Sequence, residues 1–306
     1  MVTFIARRML LLVPILFGVS IVTFLMVHLV PGDPIQIMLG HGASGANLAL
    51  LRHEYGLDSP LPIQYLRFMG NLLHGDLGTS IHSSRPVFRE ISDRFLATLE
   101  LTSAAMALAV LLGVGVGVLA VGSRSRQLDG LLMLGATLGI SLPSFFVGLL
   151  LIYFFALQLG WLPVLSSDNL QGLILPAVTL ALPAASVLAR VTRSGLVEVI
   201  SQDYIRTARA KGLGWPRVVG YHATRNGLIV VLTIVGLQFG SLMAGSVIVE
   251  TVFARPGLGS LAVNAIQARD YPVIQGTVLV FASFYVLINL AVDILYGLVN
   301  PRIRVS

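Results

Sequence analysis

Residues 198–226 read EVISQDYIRTARAKGLGWPRVVGYHATRN, a basic, helix-forming stretch between two runs that are apolar enough to cross a bilayer. Seven of the 20 Lys and Arg residues lie in this stretch or just before it. Loops with an excess of Lys and Arg stay on the cytoplasmic side of a membrane. The sequence therefore predicts a membrane protein with a cytoplasmic segment, here called the hook (residues 198–226), that contacts a cytoplasmic protein or the lipid surface.

The composition excludes an ordinary soluble domain. Of the 306 residues, 56% are hydrophobic and 11% are charged, whereas a soluble domain carries about 25% charged residues. A net charge of +6 would suggest nucleic acid as the partner of a soluble protein. Here the excess of basic residues consists mainly of Arg at the ends of apolar runs. At these positions Arg determines the topology and binds anionic lipid headgroups. Membrane lipid is therefore an expected partner, and nucleic acid is not.

Six apolar stretches predict an all-α integral membrane fold with six transmembrane helices. Each lacks Asp, Glu, Lys and Arg over most of a bilayer crossing, which needs about 20 helical residues. The stretches are Met9–Val30, Leu101–Val121, Leu131–Leu159, Leu170–Ala189, Leu228–Val249 and Val273–Val299.

The distribution of basic residues predicts the orientation. With the N-terminus inside, the inner side holds 13 Lys and Arg residues, and the short outer loops hold Arg255 and Arg269. The other five lie in the long first loop, which can escape the charge rule because of its length. Both termini are therefore predicted to be cytoplasmic. The expected parts are a first helix (1–30), an extracytoplasmic cap (31–96) and a five-helix core (97–306) with a cytoplasmic coupling loop (190–227).

The sequence offers no group for catalysis or for holding a cofactor. It has no Cys, no GxSxG or HExxH motif and no GxxxxGK[ST] nucleotide loop. The first-loop histidines match no standard ligand spacing, so no metal site is predicted. Asp293 is the only Asp, Glu, Lys or Arg residue inside a predicted span. It lies near the cytoplasmic end of that span, close to Arg302, so a structural ion pair or a role at the helix end is favoured over a proton relay. If the chain moves a solute uphill, the energy must come from another subunit, and the hook is the place where it would enter.

Glycine and proline predict how the spans pack. Glycines at a spacing of about four residues let helices approach closely. They are Gly113 and Gly117, Gly135 and Gly139, and Gly236, Gly240 and Gly245. Three prolines, Pro143, Pro176 and Pro183, predict interruptions in the third and fourth spans.

Several strings along the whole chain resemble the permease subunits of bacterial dipeptide, oligopeptide, glutathione and nickel ABC importers. The strings are PGDP (31–34), GDLG (75–78), ATLEL (97–101), DYIRTARAKG (203–212), RN (225–226), PGLG (256–259), RDYPVIQ (269–275) and NPRIR (300–304). The similarity is closest to the dipeptide and glutathione permeases.

This resemblance implies a subunit of a peptide importer in the bacterial plasma (inner) membrane. Its implied partners are a homologous second permease, two cytoplasmic ATPase subunits that hold ATP and Mg, and an extracytoplasmic substrate-binding protein. Glutathione or nickel is the alternative cargo within the family. A channel or scaffold that needs no ATP is the alternative from another class.

The resemblance also assigns the hook to a coupling helix that docks on the ATPase. The implied contact residues are Asp203, Tyr204, Arg206, Thr207, Ala208, Arg209, Ala210, Lys211 and Gly212. The family's glutamate and first alanine are replaced here by Arg206 and Thr207. Propensity alone predicts a short helix over 203–211 that stops at Gly212, with Pro216 in the first turn of the next helix. An amphipathic segment lying on anionic lipid is the alternative.

On the outer side, Glu250–Pro272 is too apolar for a plain linker. The resemblance implies a re-entrant hairpin near the substrate path that also meets the binding protein. Gly257 and Gly259 are predicted to permit its tight turn. The charged residues Glu250, Arg255, Arg269 and Asp270 are candidates to meet peptide termini or the binding protein, and local salt bridging is the equal alternative.

Overall fold

The computed structural model describes residues 2–29, 58–123, 125–165 and 169–299, and the regular elements in these ranges are helices. The prediction of an all-α fold is confirmed. The α-helices are α1 (Val2–Leu29), α2 (Leu61–Leu73), α3 (Val87–Gly122), α4 (Arg126–Ser141), α5 (Ser144–Leu151), α6 (Leu170–Ile200), α7 (Asp203–Ala210), α8 (Trp215–Arg217), α9 (Thr224–Val252), α10 (Leu258–Ala268) and α11 (Tyr271–Val299). Two π-helical segments, Ile152–Gln158 and Val218–Ala223, follow α5 and α8.

Five of the described helices, α1, α3, α6, α9 and α11, are long and apolar enough to cross a membrane. A sixth crossing is formed if α4, α5 and the π segment after them count as one span. These helices match the six stretches predicted from the sequence. The segment 31–57, the NPRIR string at 300–304 and the side chain of Asp293 lie outside the described residues.

The third span is bent by 105° between α4 and α5. Leu142 has an extended backbone (φ −80°, ψ 129°) and Pro143 stands just before α5. Proline disfavours the helical conformation of the residue that precedes it, so the break follows from Pro143. The interruption predicted at Pro143 is confirmed.

The interruption predicted in the fourth span is wrong. Pro176 and Pro183 lie inside α6, which runs without a break from Leu170 to Ile200. In the most apolar stretch of α6, 67% of the residues are buried, a larger share than in any other described span. Neighbouring helices that cover a span re-satisfy the backbone groups that proline frees, so both prolines are tolerated within α6.

The chain forms two compact units. The first combines Ala97–Arg255 with the chain from Leu287 onward. Its core is built around α6, with Leu180, Leu188 and Phe253 among the buried side chains. The second unit combines Val2–Leu96 with Pro256–Val286.

Close glycine packing holds α3 against α6 in the first unit. A Cβ atom on Gly113 would lie 2.6 Å from the Cβ of Leu188, and one on Gly117 would lie 2.6 Å from the Cβ of Thr192. Real Cβ atoms do not approach so closely, so any larger residue would push the helices apart. The same close approach occurs at Gly139 and Gly236. The prediction is confirmed at these positions and wrong for Gly135, beside which no described atom lies within 4 Å.

In the second unit, α2 lies against α1 through aromatic side chains. The hydroxyl groups of Ser20 and Tyr65 are 2.7 Å apart, and the Tyr65 ring meets Phe24 edge-on with centroids 5.4 Å apart. A separate apolar cluster joins the start of α3 to α10 and α11. Its buried members include Val87, Ile91, Leu258, Leu261 and Val273.

Candidate functional site

The hook contains the short helix that its sequence predicts. Helix α7 covers Asp203–Ala210, and Gly212 follows with a φ of +84°. That left-handed conformation favours glycine, because a Cβ atom there is strained. Helix α8 then begins at Trp215 with Pro216 in its first turn. The predicted helix, its stop and the restart are therefore confirmed.

One face of α7 is buried against its own chain. Ile205 is 1% exposed and Ala208 is 9% exposed, and residues three apart on a helix share a face. Ile205 belongs to an apolar cluster with Leu196 and Val218, which lie on α6 and on the π segment after α8. Ala208 was expected to contact a partner. In this chain it lies on the buried face of α7, as its three-residue spacing from Ile205 could have indicated, and its contact with a partner stays a prediction.

Trp215 fixes the segment that follows α7. Its indole Nε1 donates a hydrogen bond to the carbonyl oxygen of Gly122, at the end of α3, over 3.0 Å. The guanidinium carbon of Arg209 lies 5.8 Å from the centroid of the Trp215 ring, within range of a cation–π interaction. Sequence reasoning missed this anchor. A large indole next to a helix-starting proline, in an otherwise polar stretch, was the available indication.

The remaining candidates of the hook form an exposed, basic surface. Its members are Asp203, Tyr204, Arg206, Thr207, Arg209, Ala210, Lys211 and Gly212. Arg206 and Asp203 approach within 3.7 Å, but their side chains are 81% and 95% exposed, so this pair contributes little to stability. The surface is therefore held by the buried face of α7, and its side chains, Arg206 and Lys211 among them, are exposed.

A bidentate ion pair joins α4 to α6 ahead of the hook. Arg193 Nε and Nη2 donate to the two carboxylate oxygens of Asp129 over 2.5 and 2.6 Å. The two side chains are 37% and 24% exposed. Sequence reasoning did not pair these residues, because they lie 64 positions apart.

Two charged residues of the outer segment bond within the first unit. Thr98 Oγ1 donates to Glu250 Oε1 over 2.6 Å, and both residues are fully buried. Arg255 Nη2 donates to Glu100 Oε2 over 2.6 Å, and its Nε donates to the carbonyl oxygen of Ala97 over 3.4 Å. The local salt bridging that the sequence left open is thus shown for Arg255, and Glu250 accepts a hydrogen bond from a hydroxyl group of the same unit.

Asp270 bonds locally within the second unit. It is 3% exposed and accepts hydrogen bonds from Ser80 Oγ over 2.5 Å and from the backbone N–H groups of Ile81 and His82 over 3.2 Å each. Its carboxylate therefore holds the loop at residues 80–82. Asp270 is not available to meet a peptide terminus in this arrangement.

Gly257 and Gly259 were expected to permit a tight turn, and neither has a positive φ. Gly257 is extended (φ −110°, ψ −174°) and precedes α10, and both glycines are buried. The residues of this segment with positive φ are Ala254 (φ 50°) and Arg269 (φ 55°). The predicted turn role is therefore wrong for Gly259, which lies inside α10, whereas Gly257 lies in the bend just before that helix.

Arg269 differs from the other charged candidates of the outer segment. It is exposed, and its side chain makes no hydrogen bond or ion pair with any residue in the described part of the chain. Of the four charged candidates, Arg269 is therefore the one whose side chain makes no polar contact within the described part of the chain, so it can bind a partner.

Two family profiles together match nearly the whole chain. The profile described as "Binding-protein-dependent transport system inner membrane component" matches residues 91–305. The profile described as "Binding-prot-dependent transport system membrane comp, N-term" matches residues 1–102.

Curated relatives match over the full length. The glutathione transport system permease protein GsiC of Salmonella paratyphi A is 49% identical over 304 residues, which cover 99% of this chain and 99% of the relative. The protein of the same name from Escherichia coli K12 is 47% identical with the same coverage.

Solved structures share the fold. A chain of the MetNI methionine ABC transporter in an inward-facing conformation superposes with a TM-score of 0.60 at 21% identity, covering 69% of this chain and 96% of that one. A chain of an amino acid ABC transporter reaches a TM-score of 0.52 at 21% identity, covering 70% and 94%. At this identity the likeness concerns the fold alone.

Proposed function

Because this chain belongs to the family of binding-protein-dependent transport system inner membrane components, we propose that it is the permease subunit of an ATP-driven importer of short peptides, with glutathione as cargo. The relatives at 47–49% identity are named for glutathione transport, and they match this chain from end to end. The sequence favoured a dipeptide or oligopeptide and left glutathione, a tripeptide, as an alternative cargo within the family.

The permease acts within a complex whose composition is also part of the proposal. A homologous second permease completes the translocation path, and two cytoplasmic ATPase subunits hold ATP and Mg²⁺ and hydrolyse the nucleotide. A substrate-binding protein delivers cargo on the outer side. This chain itself has no nucleotide loop, so it supplies the path and the mechanical connection and needs no cofactor of its own.

The observation that carries the proposal is the way α7 is held. Its basic face is exposed, while Ile205 and Ala208 are buried on its other face, where Ile205 packs with Leu196 and Val218. The Trp215 hydrogen bond to Gly122 ties the next segment to α3. A movement of the docked ATPase subunit that displaces α7 therefore also displaces α6 and α3, because packed side chains and the Trp215 hydrogen bond connect these helices.

The direction of transport requires the hook to lie in the cytoplasm. The basic residues support this orientation, with 13 on the side of the hook against two in the short loops of the other side. Both termini are then cytoplasmic, provided that the bent α4–α5 pair crosses the membrane.

Reconstitution of the complete complex tests this function. The permease pair, the ATPases and the binding protein are placed in proteoliposomes, and uptake of labelled glutathione is followed with and without ATP. We expect ATP-dependent uptake and a rise in ATP hydrolysis when loaded binding protein is added. A dipeptide and Ni²⁺ serve as competing cargoes.

Each alternative has a distinct outcome in this assay. Glutathione flux that needs no ATP would identify a channel. Uptake of Ni²⁺ without peptide would assign the metal as cargo. A stimulation of ATP hydrolysis by dipeptides and not by glutathione would keep the importer and change its substrate.

A further inference from the structure

A cavity of about 270 Å³ lies within the second unit, between α1, α10 and α11. Its lining includes Thr23 and Met26 from α1, Ile266 from α10, Arg269, and Tyr271 and Gln275 from α11. The wall is mostly hydrocarbon. Met26 and Ile266 are 44% and 60% exposed, so the cavity opens onto apolar surface. The cavity is slightly below the usual range for small-molecule pockets, about 300–1,000 Å³.

Two polar groups of residues that line this cavity have no hydrogen-bond partner among the described residues. The Tyr271 hydroxyl is buried, in a residue only 5% exposed, and makes no hydrogen bond. Buried hydroxyl groups are nearly always hydrogen-bonded, so an unpaired one calls for an explanation. The Arg269 guanidinium is exposed and unpaired among the described residues. Both residues line the same apolar cavity.

We propose that this cavity binds an anionic phospholipid. Part of one acyl chain fills the apolar space, the phosphate is held by the Arg269 guanidinium, and the Tyr271 hydroxyl donates a hydrogen bond to an oxygen of the phosphate or glycerol ester. Arg pairs well with phosphate, because its planar group offers several donors in a fixed geometry. The lipid satisfies both unpaired groups and covers the exposed side chains of Met26 and Ile266.

The chemistry of the lining favours a lipid over a peptide. A zwitterionic peptide needs a negative group for its ammonium, and no Asp or Glu is among the described residues that line this cavity. The amide nitrogen of Gln275 is already used, since it donates to the carbonyl oxygen of Thr23 over 3.2 Å. One cation, one hydroxyl donor and a hydrocarbon wall match the head and tail of a single anionic lipid.

The test uses the purified complete transporter in detergent with phosphatidylcholine and titrates phosphatidylglycerol. The thermal unfolding midpoint and the number of retained lipids, counted by mass spectrometry, are the two measurements. The wild type should show a saturable rise in midpoint with phosphatidylglycerol and none with further phosphatidylcholine. Arg269→Gln should weaken the apparent affinity about fivefold, the contribution of one basic residue to binding of an anionic lipid.

Tyr271→Phe removes only the hydroxyl group and provides a second variant. Without anionic lipid it should be at least as stable as the wild type, because it deletes an unpaired buried group. With phosphatidylglycerol the stabilisation should be smaller than in the wild type. Arg89→Ala, which removes an exposed Arg outside the cavity, is the control and should respond as the wild type does.

Equal responses of Arg269→Gln and Arg89→Ala to phosphatidylglycerol would overturn the proposal. It would also be overturned if glutathione, and not phosphatidylglycerol, raised the midpoint and if this effect were lost in Arg269→Gln, because the cavity would then be a peptide site. The first outcome leaves the import assay unaffected, and the second would place the cargo in this cavity without removing import. Failure here is therefore distinct from failure of the proposed function.

Discussion

Arg193 on α6 grips Asp129 on α4 through two parallel hydrogen bonds of 2.5 and 2.6 Å. The bidentate geometry connects the first turn of α4 to the part of α6 that leads into the hook. Because both side chains are partly exposed, solvent weakens the attraction, and we expect the pair to contribute about 1–2 kcal/mol.

Single and double alanine variants of Asp129 and Arg193 measure this contribution. Each single variant should lower the unfolding free energy of the purified complex, and the double variant should cost less than the sum of the two. Arg190→Ala removes an exposed Arg from the same helix and should change stability by about 0.5 kcal/mol or less. Additive effects of the Asp129 and Arg193 variants would show that the ion pair adds no stability.

Two glycines of α3 should respond in opposite ways to the same substitution. A Cβ atom on Gly113 would lie 2.6 Å from the Ala185 carbonyl oxygen, so Gly113→Ala must shift α3 away from α6 and should cost about 1–3 kcal/mol. A Cβ atom on Gly115 meets no described atom within 4 Å. Gly115→Ala should therefore be neutral or stabilise the helix by about 0.5–1 kcal/mol. Thermal unfolding of both variants decides this, and equal losses would contradict the packing of α3 on α6.

The positions of the spans and of α7 could be predicted because local patterns determine them. Long apolar runs are sufficient for a bilayer crossing, and the end of α7 follows from the conformational freedom of Gly212. Proline was a poorer guide. Pro143 breaks a span, while Pro176 and Pro183 do not, because the outcome depends on how well neighbouring helices cover the backbone.

The direction in which side chains face was harder to predict. Ala208 was assigned outward by likeness to a motif, although its spacing from Ile205 places both on the buried face of α7. The partners of Glu250 and Arg255 lie 152 and 155 positions earlier in the sequence. Only the folded arrangement brings such distant groups together, so no local pattern indicated them.

Labelling of introduced cysteines tests the topology, since the chain has no native Cys. Gln127, Leu165, Ser201 and Ser83 are exposed, and each is replaced in turn. If α4 and α5 form one crossing, Gln127→Cys and Ser201→Cys should react with an impermeant reagent only from the cytoplasm. Leu165→Cys and Ser83→Cys should react only from outside.

Because the chain bends by 105° between α4 and α5, the two helices could also form a re-entrant loop, and the labelling pattern would then differ. If α4 and α5 enter and leave on the same side, Leu165→Cys is labelled with Gln127→Cys and Ser201→Cys is labelled from the opposite side. That result would reduce the crossings to five and would place the hook away from the ATPases.

The central claim is that the hook passes motion between the ATPases and this permease, and two matched glycines make it testable. Gly212 and Gly160 are both exposed, both have positive φ (84° and 63°), and a Cβ on either meets no described atom within 4 Å. Replacement by Trp imposes the same backbone strain and the same bulk at both, but only Gly212 belongs to the hook.

The measurement is ATP hydrolysis by the reconstituted complex with and without loaded binding protein. Gly212→Trp should lose the stimulation, or lose the ATPases during purification, because a bulky side chain overfills the docking contact. Gly160→Trp should keep stimulation within about twofold of the wild type, since its strain lies outside that contact. Normal stimulation in Gly212→Trp, or an equal loss in both variants, would contradict the coupling role of the hook.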